Sequence, residues 1–146
     1  TTVTQLYRHP LKSHGREELD HTAPSTGQSM PWNQTWAVAH GAARLDGNEG
    51  RIVQFEHRVK STIWFDTATP WSELDWVGND VSRGETVLRV RDPTKRCQAT
   101  TANRHNGERD IDILRVLSTW GHQDFRVYAK VIHTGSVALS DQVKVL

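Results

Sequence analysis

Apolar and polar residues alternate with a period of two over much of the chain, the pattern of strands with one buried face. Val3, Gln5 and Tyr7 alternate with Thr4, Leu6 and Arg8, and Pro10 ends the run. Short strands are predicted at Thr35–His40 (TWAVAH), Arg51–His57 and Thr62–Asp66 (TIWFD), the last rich in β-branched and aromatic residues. In Glu85–Arg91 (ETVLRVR), Val87, Arg89 and Arg91 share one face, and Leu88 and Val90 share the other. Asp92-Pro93 is read as a turn, and Arg96–Thr101 (RCQATT) as resumed extended chain. Arg126–His133, the turn Thr134-Gly135-Ser136 and Ser136–Leu139 form a predicted hairpin. Gln142–Leu146 closes the chain as a strand.

Two segments carry helical spacing. In Asp110–Trp120, the residues Ile113, Leu114, Leu117 and Trp120 make one apolar stripe, with Asp110 and Asp112 at the start and Gly121 just past the end. Pro70–Val77 (PWSELDWV) supplies one or two turns, stopped by Gly78. Gly41–Gly50 has no periodicity and reads as an exposed loop. The pattern predicts a mainly β fold: an antiparallel barrel or curled sheet with one or two short decorating helices. Residues 1–146 fit one domain, a common size for a single core.

Composition narrows the classes of function. The chain is 36% hydrophobic and 24% charged, with a mean hydropathy of −0.63, and it remains globular because six Trp add apolar bulk. No run reaches the ~18–20 apolar residues of a membrane span. Nothing from Thr1 onward reads as a basic region followed by an apolar one, so no signal peptide is expected. Eighteen basic residues stand against seventeen acidic ones, which argues against binding nucleic acid by bulk charge. A single cysteine excludes an internal disulfide framework and a zinc site built of Cys alone, and makes a reducing, cytoplasmic compartment the expectation.

That cysteine, Cys97, is the first chemical candidate. Lys95 and Arg96 precede it and Thr100 and Thr101 follow it; nearby cations favour thiolate over thiol. A thiolate there suits a nucleophile, a sulfur carrier or a soft metal ligand; the plain alternative is a buried, inert thiol. The eight His residues lack the i, i+4 spacing of a helical zinc site and read as surface and turn residues. Arg89, Arg91, Lys95 and Arg96, with Lys12 and Ser13, suit an anion pocket, or else a solvated strand face. No glycine-rich nucleotide motif and no G-x-S-x-G is present.

Together these segments resemble the MOSC domain family, the module found at the C-terminus of molybdenum-cofactor sulfurases. Val3–Ser13 (VTQLYRHPLKS) resembles the family's opening strand and its P-x-K-S turn. The stretch Thr62–Leu146 carries TIWFD, PWSELDWVG, RGETVLRV, RCQATTANRHNGERD and VYAKVIHTGSVALSDQVKVL; its R-C-x-x-T-T…G-x-R-D run is the most distinctive part. The resemblance implies a β-barrel-like fold. It implies molybdenum cofactor (molybdopterin) binding or sulfur carriage, with Cys97 as the catalytic residue that ligates molybdenum or holds a persulfide. Lys12, Ser13, Gln34, Lys60, Thr62, Arg96, Thr100 and Thr101 stand at the implied cofactor-pocket positions. Some relatives are oxidoreductases that reduce N-hydroxylated compounds; here the implied substrates are N-hydroxylated compounds or S-oxides. The implied partners are a cysteine desulfurase-like sulfur donor and an electron-transfer protein. Pyridoxal phosphate is disfavoured, because no Lys sits in a Schiff-base context.

The chain also departs from the family pattern. Gln34 stands where an Arg of D-R-x-W is usual, and Val59-Lys60-Ser61-Thr62 replaces F-R-x-N. Lysine meets a phosphate as a point charge and not as a fork. T-T-x-D is Thr100-Thr101-Ala102-Asn103, the near-terminal G-D is Ser140-Asp141, and the middle segment is short, crossed by residues 41–56. The departures leave a second expectation open: a non-catalytic binding module that keeps the fold and has lost the cofactor pocket.

Overall fold

The computed structural model describes residues 1–12, 16–28, 30–31, 36–37, 62–66, 69–103, 106 and 108–146. In chain order these form β1 (Val3–Arg8), β2 (Leu11–Lys12), β3 (Glu17–Leu19), β4 (His21–Thr22), β5 (Trp36–Ala37), β6 (Ile63–Phe65), a 3-10 helix (Ser72–Trp76), β7 (Asp80–Arg83) and β8 (Thr86–Lys95). A second 3-10 helix (Gln98–Thr101), α1 (Ile113–Ser118), β9 (Asp124–His133), β10 (Val137–Ala138) and β11 (Val143–Val145) follow. The class is mainly β, as the alternation predicts.

The largest sheet is antiparallel, in the order β11-β7-β8-β9. β3-β1-β6 makes a second antiparallel sheet, β10 pairs with β4, and β2 runs parallel to β5. Among the described residues these sheets do not close on one another, which corrects the expected barrel to separate open sheets around a shared core. Val3 and Leu6 of β1, Val81 of β7, Val90 of β8, Val137 of β10 and Val143 of β11 form that core. Fully burying one such side chain stabilises by roughly 1.5–3 kcal/mol. Val3 and Leu6 are three apart and both face inward, because the register shifts between Val3 and Gln5. The extra residue of a bulge reverses which parity faces the core.

Other local features depart from the sequence reading for identifiable reasons. β8 does not turn at Asp92-Pro93; it runs on to Lys95, with register shifts on either side of the proline. A bulge accepts a residue that lacks an N–H. The predicted hairpin at Thr134-Gly135-Ser136 does not form: β10 pairs with β4, 115 residues away in register Val137↔Thr22. Glu85 diverts the chain there, its carboxylate accepting from the Ser136 hydroxyl at 2.9 Å while Gly135 lies against its backbone. α1 begins at Ile113 and not at Asp110, since Asp112 is the N-cap and accepts from the Arg115 N–H at 3.0 Å. Thr35–His40 is seen as a strand at Trp36–Ala37; the predicted loop Gly41–Gly50 and strand Arg51–His57 lie outside the described residues. His9, read as a surface residue, is buried at the end of β1.

Candidate functional site around Cys97

The sequence RCQATTANRHNGERD leaves the end of β8 and folds back on itself. Lys95 is the last residue in register with β9, opposite Asp124, and the Arg96 N–H donates to the Gln123 carbonyl at 2.9 Å. The chain then leaves the sheet, and Cys97 is exposed. Extended chain predicted at Arg96–Thr101 gives way to a 3-10 turn over Gln98–Thr101, for which the two threonines are responsible. The Thr100 hydroxyl donates to the Cys97 carbonyl at 2.8 Å, and the Thr101 hydroxyl to the Gln98 carbonyl at 2.6 Å. Short hydroxyl side chains compete with the ladder for backbone partners in this way. Both threonines are buried, and α1 packs against their turn.

An isolated bridge between Ala102 and Arg109, with the Asn103 N–H donating to the Glu108 carbonyl at 2.7 Å, closes the loop. Asn103 explains one departure from the family pattern. Its amide donates to the Asp110 carboxylate at 2.8 Å, where an aspartate would set two like charges together. Ser140 explains another: it holds φ 69, the left-handed conformation in which glycine is unstrained, while Asp141 accepts from the Ala138 N–H at 2.7 Å.

The remaining candidates are placed unevenly. Arg96 is half-buried beside Cys97, its Nε facing the Thr94 carbonyl at 3.4 Å. Thr62 is half-buried, and its carbonyl accepts from the Tyr7 N–H at 2.7 Å. The backbone of Lys12 lies beside Ala37 in the β2–β5 pair, and that of Leu11 beside Trp36. Ser13, Gln34 and Lys60 lie outside the described residues. The run of basic residues along β8 is divided. Arg89 forks onto Asp80 at 2.7 and 2.9 Å, holding that carboxyl below its usual pKa, and Arg91 is exposed on the strand's outer face. No cluster of three or more His, Cys, Asp or Glu able to hold a metal occurs among the described residues.

An aromatic cluster borders this loop and was not singled out from the sequence. Trp71 lies 5.4 Å from Trp120, 4.8 Å from His122 and 5.7 Å from Phe125, ring centre to ring centre. His122 and Phe125 flank the residues that pair with Lys95 and Arg96. The clue in the sequence is the recurrence of Trp at the predicted helix ends.

Thus a mainly β domain presents one exposed thiol where a long strand leaves its sheet, with Arg96 preceding it in the chain and a hydroxyl-braced turn following it. The chain belongs to the MOSC domain family, whose model matches residues 59–144, more than half of its length. This is a family associated with molybdenum cofactor. No curated protein and no solved structure matches the chain. No helix among the described residues is long and apolar enough to cross a membrane.

Proposed function

We propose that this MOSC domain works through the Cys97 sulfur, as the protein ligand to the molybdenum of a bound molybdopterin. The supporting observation is the exposure of that thiol at the end of β8, within the stretch the family model matches. The donor chemistry fits: a thiolate is a soft ligand suited to such a metal, and Arg96 brings positive charge for an anionic cofactor. Lys12, Ser13, Gln34, Lys60 and Thr62 complete the proposed pocket. Thr100 and Thr101 act from behind: their hydroxyl protons hold the turn that presents Cys97, so they position the ligand. When bound, the cofactor would supply oxygen removal from N-hydroxylated or S-oxide substrates, with electrons from a partner protein. Metal analysis after purification from a host that makes the cofactor tests the reading. Molybdenum is expected in the wild type and absent from Cys97→Ala; equal molybdenum in both would overturn it.

A second reading, persulfide carriage without metal, is favoured by one observation. The hydroxyl protons of the threonine pair are engaged by the backbone, which leaves few fixed donors around an open thiol. The Cys97 thiolate would attack the outer sulfur of a desulfurase persulfide. A new S–S bond forms at Cys97, the donor's S–S bond breaks, and the donor leaves as thiolate with no net oxidation. Intact mass after incubation with a desulfurase should show one added sulfur in the wild type and none in Cys97→Ser. If neither molybdenum nor sulfur is acquired, the domain is a binding module without this chemistry.

A further inference from the structure

The sheet β11-β7-β8-β9 has two faces of opposite character. Val81, Leu88, Val90 and Val143 are buried on one, so the residues that alternate with them point to the other. Residues opposite one another in register share a face. Asp80, Arg89 and Lys130 form one such outward row across β7, β8 and β9, and Lys144 of β11 stands opposite Ser82. A register shift between Val90 and Asp92 leaves both Arg91 and Asp92 exposed, with Tyr128 opposite Asp92. Arg126 joins them from the next irregularity: it holds φ 76, and its guanidinium carbon lies 5.9 Å from the centre of the Tyr128 ring. Lys95, exposed and opposite Asp124, ends the face.

Positive charge accumulates there. Arg89, Arg91, Lys95, Arg126, Lys130 and Lys144 outnumber Asp80, Asp92 and Asp124, although the whole chain carries only +1. The Asp80 carboxylate is held by the fork of Arg89. Among the described residues no carboxylate forms an ion pair with Arg91, Lys95, Lys130 or Lys144. In their midst Tyr128 is 57% exposed. Arg and Tyr are the side chains that anchor protein interfaces, and unpaired cations favour a partner rich in carboxylates. A phosphate chain or a lipid surface matches less well, because Asp92 and Asp124 would meet its phosphates and one tyrosine makes no track for successive bases. We propose that the outer face of this sheet, centred on Tyr128, is a docking surface for a protein partner that presents an acidic patch. The face follows from strand register and does not depend on the chemistry assigned to Cys97.

Titration of an oligoglutamate peptide into isotope-labelled protein at low salt, followed by amide signals, tests it. The signals of Arg91, Tyr128 and Lys130 should shift saturably, and the affinity should fall as salt rises. Arg91→Glu combined with Lys130→Glu, both at exposed positions, should weaken binding about tenfold or more. Arg16→Glu combined with Arg115→Glu changes the net charge equally at exposed positions on other elements, and should leave affinity within about twofold. Tyr128→Ala leaves the charge alone and should weaken binding roughly fivefold. Oligothymidylate and phosphatidylserine vesicles serve as the competing arms and should bind more weakly than the peptide. Tighter binding of either would reassign the face to nucleic acid or membrane and overturn the proposal. The absence of a saturable shift on this face, or equal losses from the two charge-reversed pairs, would overturn it as well.

Discussion

The two ends of β8 are built on opposite terms. At its start, backbone lies on backbone: a methyl on Gly135 would meet the Glu85 carbonyl group at 2.6 Å, and one on Gly84 would meet the Ser136 carbonyl oxygen at 2.8 Å. Gly84 also holds φ +52, a conformation that disfavours a side chain. At its far end the strand opens, and a braced turn holds Cys97 in solvent. The contrast is that of a close-packed anchor and a presented loop, the arrangement in which chemistry sits on a loop held by a rigid scaffold.

The contrast can be broken by substitution. The largest effect is expected at the packed end, where Gly135→Ala forces backbone apart and should cost roughly 2–3 kcal/mol in urea unfolding. Val3→Ala, in the core beside that end, should cost roughly 2 kcal/mol through lost burial and the cavity left behind. At the open end Thr101→Val removes only the bond to the Gln98 carbonyl and should cost about 1 kcal/mol. Cys97→Ser should shift stability by less than about 0.5 kcal/mol while removing bound molybdenum or transferred sulfur. A stability loss at Cys97 matching that at Gly135 would abolish the distinction between the two ends.

The smallest effect concerns acid. The Ser136 hydroxyl and N–H hold the Glu85 carboxyl below its ordinary pKa of 4.5. A carboxyl lowered in the folded state stabilises fully above that ordinary value, and its contribution fades as pH falls through the lower folded value. Glu85→Gln should therefore lower stability slightly above about pH 4.5, where the carboxylate contributes, and leave the strongly acid end unchanged, so that the acid limb of the stability profile flattens. An unchanged acid limb would show that this carboxylate does not couple the β7–β8 turn to the chain entering β10.

What could be read from the residues divides along the same line. The inner face of β8 follows from its alternation, since Leu88 and Val90 are buried and Arg89 and Arg91 are exposed. Arg83 lies outside every strand predicted from the sequence, and its burial on β7 appears only in the structure. The opening strand misleads, because a bulge between Val3 and Gln5 resets its parity. The pairing of β10 with β4 depends on partners far apart in sequence, which local pattern does not encode. At the site, Cys97 and Arg96 are identifiable from residue type and resemblance. The role of Thr100 and Thr101 is not, because a hydroxyl in a sequence does not declare whether it will face a ligand or its own backbone.

The Trp71 cluster has a use of its own. Trp71 holds φ 70 without being glycine, and Trp120, 54% exposed, meets it at the edge of the Cys97 loop. Two indoles in contact there form a native optical gauge. Emission from this pair will register rearrangement of the neighbouring loop in the unlabelled protein, with Trp120→Phe as the blank that separates it from the other tryptophans.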